Sequence, residues 1–406
     1  MDSLRKGRSD VISADPQAIE TWLFSFVRQD APRGREAQVA SEAFLRALDD
    51  PQDRVRAVHI VGTAGKGTVA QLMARELRRN GVSVGLHQSP HVYDIRERFT
   101  VADDLPSWDD VAVAANEIQR VVDQGHEPTF FAVTFAMALV LARHAETDVL
   151  VIEAGIGGRF DATNTFHRHD VLTVVTAIGL DHQDVLGQTV DDIAVEKAAV
   201  LAGRSWVVLG PQPDPAAERL VEASARIHDN RLVRVHATGD WRHDAVATAR
   251  AALLWFLPKV GALGPIDQPG RAEVYQVGGR RWVFDGAHNP MKLNMLGRLL
   301  AKTDQPRLGV VSVGAGKDLD GCAREIAAMV DTALVVEFGP EDDGAGPRSH
   351  RSAAIERALR AAGLEDIEAV DSTEVADRVA GSDATTVVVT GSFLHLADVR
   401  ASLPGF

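Results

Sequence analysis

The sequence predicts an α/β protein of two domains, and three observations predict it. Short apolar, β-branched runs alternate with helix-like stretches along most of the chain. That pattern belongs to parallel sheets covered by helices on both faces. Polar, glycine-bearing clusters follow the apolar runs at their C-terminal ends, where open α/β sheets gather ligands. A Pro/Gly-rich connection from Pro258 to Gly270 separates two such alternating series, as a domain boundary does. At 406 residues the chain has room for two or three domains. The expected division is a sheet domain over residues 1–266 and a smaller α/β domain over 267–406.

The first 55 residues read as polar helix. Strands are expected at 57–61, 82–87, 149–153, 171–178 and 206–209. Helices are expected at 68–79, 108–122, 130–144 and 190–201, the second-last as a buried helix because its apolar residues run all round. The stretch 210–269 is less regular and yields one helix, 244–257. The second series reads as strands at 282–285, 309–313, 333–337 and 386–390. Its helices follow Pro290 and Leu319 and span 352–362.

Composition excludes several classes. The formal charge of −14 disfavours nonspecific binding to nucleic acid or anionic membranes. A single cysteine, Cys322, rules out an intrachain disulfide and argues against a cysteine-based zinc site. The N-terminal stretch Met1–Arg8 is polar and has no apolar signal region. The longest apolar run, 130–141, is too short to span a bilayer. A cytoplasmic protein is expected, acting on small molecules and binding neither membrane nor nucleic acid.

Four clusters carry chemistry. The first is Gly62-Thr63-Ala64-Gly65-Lys66-Gly67-Thr68, between a strand and a helix. Glycines let backbone N–H groups turn towards phosphates, the helix N-terminus adds a favourable dipole, Lys66 a cation and Thr68 a hydroxyl. A glycine between the lysine and the threonine departs from the usual P-loop spacing. The alternative is a glycine-rich turn with no ligand. The second runs from Glu153 to Asn164, where a carboxylate ends a buried strand and a glycine loop follows. Glu153 suits magnesium, a hard cation that takes oxygen ligands, or else caps a turn. The third is Ile178-Gly179-Leu180-Asp181-His182, followed by Glu196-Lys197. His182 stands above the sheet as a ligand candidate, while Lys197 by helical pattern alone is an ordinary surface lysine. The fourth, Asp285-Gly286-Ala287-His288-Asn289-Pro290, follows a strand and opens a helix. Seen alone, this cluster is better explained by a turn plus a helix cap.

Together and in order, these clusters resemble the folylpolyglutamate synthase and dihydrofolate synthase branch of the Mur ligases. The likeness runs from about Ala18 to Arg400. It adds Gln88-Ser89-Pro90-His91 with Arg96-Glu97-Arg98, Glu196-Lys197-Ala198, Pro269-Gly270-Arg271 and Thr390-Gly391-Ser392 to the four clusters. The resemblance implies Mur ligase architecture: a central P-loop parallel-sheet domain covered by helices, with a Rossmann-like C-terminal domain. It implies an ADP-forming ligase of folate biosynthesis and one-carbon metabolism. ATP would phosphorylate a carboxylate, and the amine of an amino acid, glutamate in this family, would displace the phosphate. Dihydropteroate or a folyl-glutamate would be the acceptor.

By the same resemblance, Gly62, Thr63, Gly65, Lys66, Gly67, Thr68, Asn164, Arg271 and Asp285 would hold ATP, which would sit between the domains. Thr68, Ser89, Glu153, His182 and Lys197 would hold magnesium at two sites, Lys197 as a carbamate. His288 would lie near the amino acid. Catalysis would rest on Lys66, Glu153, His182, Lys197 and His288. A monomer is expected.

The sequence departs from the family at several places. Ala64 stands where family members have asparagine, Asp244 where an asparagine meets the nucleotide, and Trp241-Arg242 where a His-Gln pair precedes it. The middle region is shortened. These changes leave open a ligase for a non-folate acceptor and, as a third reading, a noncatalytic nucleotide-binding subunit.

Overall fold

In the computed structural model, residues 11–28, 30–101, 104–264, 266–301, 305–339 and 348–403 are described. The N-terminal stretch Met1–Arg8 lies outside them. The chain forms two compact units. Unit 1 comprises Met1–Ser89, Ile95–Ile178 and Val190–Gly264; unit 2 comprises Pro90–Asp94, Gly179–Thr189 and Pro265–Phe406. Two short segments of the first half, 90–94 and 179–189, thus belong with the second unit.

In chain order the first part of the fold runs α1 (Pro16–Phe24), α2 (Gly34–Ala47), β1 (Arg56–Val61), α3 (Lys66–Arg79), β2 (Val84–His87) and β3 (Phe99–Val101). It continues through α4 (Trp108–Val122), α5 (Phe130–His144), β4 (Val149–Glu153), β5 (Leu172–Val175), α6 (Gln183–Leu186) and α7 (Val190–Ala198). Then come β6 (Trp206–Leu209), α8 (Pro215–Ile227), β7 (Arg231–Arg234) and α9 (Trp241–Leu253). The strands of unit 1 form one sheet of order β3-β2-β4-β1-β5-β6-β7. All pairs are parallel except β2 with β3. The connection after β1 leads to β2 on one side of it, and that after β5 leads to β6 on the other. The crevice between β1 and β5 is therefore a topological switch point.

Helix α5 explains the all-round apolar reading of its sequence. Every residue from Ala132 to Ala142 is buried. It packs with α1 and α4 around Phe44, Leu150 and Ile152. The hydroxyl of Thr129 starts it by accepting from the N–H of Ala132 at 3.2 Å. Each such fully buried Leu, Ile or Phe contributes ~1.5–3 kcal/mol.

Unit 2 runs through β8 (Glu273–Val277), β9 (Arg280–Asp285), α10 (Pro290–Leu300), β10 (Arg307–Val311), α11 (Leu319–Ala327) and β11 (Thr332–Val335). It ends with α12 (Ser352–Ala361), β12 (Ile367–Ala369), α13 (Val375–Ala380), β13 (Thr386–Thr390) and α14 (Leu396–Ala401). Its sheet has the order β12-β11-β10-β13-β9-β8, antiparallel only at β8. Alternation along the strands divides the core between the two faces. Val283, Val311, Val335 and Val388 meet α10, α11 and α12. Trp282, Phe284, Val310, Val387 and Val389 meet α13 and α14.

Most expected elements are present, with ends shifted by a few residues. The region 210–269 is the main correction: besides α9 it holds α8 and β7. Asp214, which caps α8 by accepting from the N–H of Ala216, and Pro215 at its first position were the start signals there. The expected helix 244–257 begins three residues earlier and ends at Leu253.

Candidate active site

The glycine cluster after β1 is built at the switch point. Gly62 has φ +149°, and a Cβ there would lie 2.0 Å from the Thr176 hydroxyl oxygen, so only glycine fits. The N–H groups of Thr63 and Ala64 both donate to the Ala177 carbonyl, at 2.8 and 3.1 Å. Gly65, at φ +84°, turns the chain into α3, with open space where a side chain would be. As the cap residue it brings no side chain to that helix start. Gly67 and Thr68 follow in the first turn. Lys66 folds back: its ammonium donates to the Gly62 carbonyl at 3.2 Å and lies 3.7 Å from Oε1 of Glu153. Glu153, the buried last residue of β4, accepts through Oε2 from the Ser89 N–H at 3.3 Å. Gly62, Lys66, Ser89 and Glu153, drawn from three separate stretches of the chain, are thereby linked.

Lys197 is buried rather than on the surface, correcting the helical-pattern reading. The cause is the glycine loop after β4, which lies directly on α7. A Cβ on Gly158 would come within 3.0 Å of the Glu196 carbonyl and of Cα of Lys197. The Lys197 ammonium donates to the Gly157 carbonyl at 3.4 Å. Buried Asp161 pins the same loop, accepting from the N–H groups of Ile156 and Thr163 and from the Thr163 hydroxyl. Burial raises its pKa against those hydrogen bonds and the Lys197 charge. Thr163 in turn meets Nε2 of buried His59 at 2.8 Å. Asn164, expected to meet ATP, is engaged by the loop itself. Its Oδ1 accepts from Arg204 and its Nδ2 donates to the Arg159 carbonyl.

In unit 2 a dense charged cluster surrounds Asp181. Lys317, in the loop after β10, donates to its Oδ1 at 2.7 Å. Lys292 on α10 stands 3.5 Å from Oδ2. The Asn289 amide donates to Oδ2 at 2.9 Å. Burial alone would raise the Asp181 carboxyl, but its neighbours prevail and hold it well below the usual carboxylate range. His182, in a left-handed conformation at φ +50°, accepts at Nε2 from Lys317 at 3.3 Å. His288 lies with its Nδ1 2.7 Å from the Gly286 carbonyl and its Nε2 3.0 Å from the Lys292 ammonium. An ammonium only donates, so Nε2 is the acceptor and the proton sits on Nδ1. Burial, aided by the Lys292 charge, lowers its pKa to about 3. The ring is neutral near pH 7.

Asp285 ends β9, and its carboxylate accepts from the N–H groups of Ala287 and Ala272. Burial raises its pKa against the nearby Arg271 charge and those two bonds. The guanidinium of Arg271 covers the Phe393 ring, 4.6 Å from its centroid.

The expected residues thus fall into two sets. Unit 1 carries the 62–68 loop, Ser89, Glu153, Asn164 and Lys197; unit 2 carries His182, Arg271, Asp285 and His288. Sequence reasoning did not single out Lys292, Lys317 or Phe393 and gave no role to Asp181 or Asn289. Lys317 follows Gly314 and Gly316 at a strand end, a signal of the same kind as that around Lys66. Asp244, at the expected nucleotide-contact position, instead accepts from the N–H and hydroxyl of Thr238 at 2.7 and 2.8 Å.

Fold and loop define a two-unit α/β protein with a glycine phosphate-type loop at its switch point. Residues 270–393 match the Mur ligase, glutamate ligase domain. The chain is 32% identical over 398 residues to a probable bifunctional folylpolyglutamate synthase/dihydropteroate synthase of Halobacterium salinarum, spanning 88% of this chain and 48% of that one. It is 29% identical over 409 residues to the folylpolyglutamate synthase of Lacticaseibacillus casei, spanning 89% of this chain and 93% of that one. The chain spans about half the length of the first two curated relatives, 48% and 50%. Its fold matches the bifunctional folylpolyglutamate synthase/dihydrofolate synthase from Yersinia pestis, complexed with AMPPNP and Mn ion. The TM-score is 0.81, with 26% identity over 95% of this chain and 97% of that one. By sequence and by fold the chain is thus similar to the folylpolyglutamate synthase/dihydrofolate synthase branch of the Mur ligases, and residues 270–393 match that family's glutamate ligase domain. Among the described residues no helix is long and apolar enough to cross a membrane.

Proposed function

We propose that this chain is an ATP- and magnesium-dependent amide ligase that joins glutamate to dihydropteroate or to a folyl-glutamate. The observation that carries the reading is the linked set of Gly62, Lys66, Glu153 and Ser89 at the switch point. Its residues fit the groups the reading needs. The N-terminus of α3, the open corner at Gly65 and the Lys66 ammonium suit phosphates. The Thr68 and Ser89 hydroxyls and the Glu153 carboxylate are hard oxygen donors suited to magnesium.

ATP supplies the phosphoryl group, and the divalent cation neutralises charge during its transfer. The substrate carboxylate oxygen takes the γ-phosphoryl group and ADP leaves. The amino acid's neutral amine then attacks the acyl carbon, phosphate departs with the electrons of the broken C–O bond, and the proton on nitrogen passes to phosphate or water. Lys66 holds phosphate oxygens. Arg271 and Asp285 contact the nucleotide. Lys197, as a carbamate, would offer the cation oxygens as the Glu153 carboxylate would, and His182 would offer a ring nitrogen. A histidine with a pKa of about 3 is a poor general base at neutral pH. His288 therefore serves by fixing Lys292 rather than by taking the proton. Lys292 and Lys317 outnumber Asp181 once His288 is neutral, and that local positive excess favours an anionic amino acid. In this reading 1–266 carry the phosphate loop and the acceptor, 267–406 add Arg271 and Asp285 to the nucleotide and hold the amino acid, and the enzyme works in the cytoplasm as a monomer.

A second reading keeps the reaction and changes the acceptor. Ala64 and the engagement of Asp244 by Thr238 favour it. A phosphate-release assay with ATP, magnesium and glutamate separates the two. Release that depends on dihydropteroate or tetrahydrofolate supports the folate ligase. ATP binding without release on either acceptor favours the second reading, and no ATP binding removes both.

A further inference from the structure

Phe393 has no part in the chemistry above, yet its ring touches the unit 2 groups on which that chemistry draws. It follows β13, whose Thr390 is in register with Asp285 at the end of β9. The loops leaving these two strands are therefore neighbours, joined by a hydrogen bond from Gly391 N–H to the Ala287 carbonyl at 2.9 Å. The ring is buried against bare backbone on two turns. A Cβ on Gly286 would lie 2.3 Å from its Cδ1 and Cε1. One on Gly270, a left-handed residue at φ +60°, would lie 3.2 Å from Cε1. The same two turns are joined by the Gly286 N–H donating to the Gly270 carbonyl at 2.8 Å. The Arg271 guanidinium covers one face of the ring. The His288 imidazole meets it at 61°, centroids 5.9 Å apart.

We infer that Phe393 is a positioning residue: its ring fixes the Arg271 guanidinium, and the turns carrying Arg271 and Asp285, in the geometry that grips the nucleotide. The role rests on the ligase reading above. The reason for an aromatic ring is twofold. A flat face can lie against two glycine backbones, where a branched aliphatic chain cannot. Its π-cloud also attracts the planar cation of Arg271 and selects one orientation of it.

The test is a double-mutant cycle on the full chain, read by calorimetric binding of a nonhydrolysable ATP analogue with magnesium. Thermal melting monitors the fold. The variants are Phe393→Leu, Arg271→Ala and the pair combined. Phe393→Leu should weaken nucleotide binding by about tenfold with a melting temperature near wild type. The combined variant should bind more tightly than the sum of the two single losses predicts, because the ring acts in large part through the arginine. Phe393→Met is read in the same way if the leucine variant does not fold. Wild-type affinity in the substituted protein overturns the inference. So do losses that add in full, which mark a ring that supports the fold without acting on Arg271. A wild-type chain that binds no nucleotide sinks the ligase reading itself and this role with it.

Discussion

The two charged centres are built in opposite ways. In unit 1, Lys66 and the glycines that shape its loop come from seven consecutive residues, with Ser89, Glu153 and the Ala177 carbonyl arriving from elsewhere. In unit 2, Asp181 is met by Asn289 from 108 residues away and by Lys317 from 136 away. The first centre holds one buried carboxylate beside one ammonium. The second packs two ammoniums and two imidazoles around a carboxylate that is itself buried. A contiguous loop can be altered with little effect on the rest of the fold. A centre assembled from distant segments also ties those segments together. Damage in unit 1 should therefore appear first in turnover, and damage at Asp181 in stability as well.

The largest effect is expected from Lys66→Ala. Losing a charged contact to the transferring phosphate costs ~3–4 kcal/mol of transition-state stabilisation, a few hundred-fold or more in rate. Unfolding in urea should change less than for Asp181→Asn, because Glu153 keeps the Ser89 N–H and the nearby Arg98 charge. Normal ATP turnover in a folded Lys66→Ala protein would remove the loop from the mechanism. Lys197→Arg comes next, with a loss on the order of a hundredfold in kcat. It keeps a cation but cannot form a carbamate or supply oxygen ligands. Short carboxylic acids should partly restore Lys197→Ala. An active Lys197→Arg enzyme would show that no carbamate is needed.

Asp181→Asn is the corresponding change in unit 2. It leaves Lys292 and Lys317 without their shared counter-charge and should cost about 1–3 kcal/mol of stability, discounted for the partial exposure of the lysines. If urea unfolding finds Asp181→Asn no less stable than Lys66→Ala, the contrast between the two centres fails. An effect of a different kind, common to both units, is in pH dependence. Burial first of all lowers the pKa of His59, His87 and His288 to about 3 and of His395 to about 4. The unfolded chain therefore binds more protons below pH 6.5. Stability should hold above pH 6.5 and fall as pH drops towards 3, by up to ~1.4 kcal/mol per histidine per pH unit. Near pH 6.5 the change is only a fraction of that. A melting temperature that stays flat from pH 6.5 to 4.5 would contradict the buried neutral histidines.

What could be read from sequence follows the same contrast. The helices at 108–122 and 130–144 and the strand at 149–153 were legible because their apolar patterns are long or dense. Strand β7 was not: it is a short edge strand, Arg231-Leu232-Val233-Arg234, with no buried residue. Strand β3 is three residues long and pairs antiparallel with β2, so no alternation could show it.

The sequence by itself determined the two α/β sheets, the loop at 62–68 and the place of each strand-end cluster. Those features are local, set by backbone geometry and by which face of a helix or strand is apolar. Tertiary structure alone decided that Lys197 is buried, because the glycine loop that lies against α7 comes from a distant stretch of the chain. It alone decided that Lys317 meets Asp181, that His288 carries its proton on Nδ1, and that Phe393 lies between two glycines. Each of these depends on how distant segments of the chain meet, and side-chain charge, tautomer and burial are fixed only after they have met.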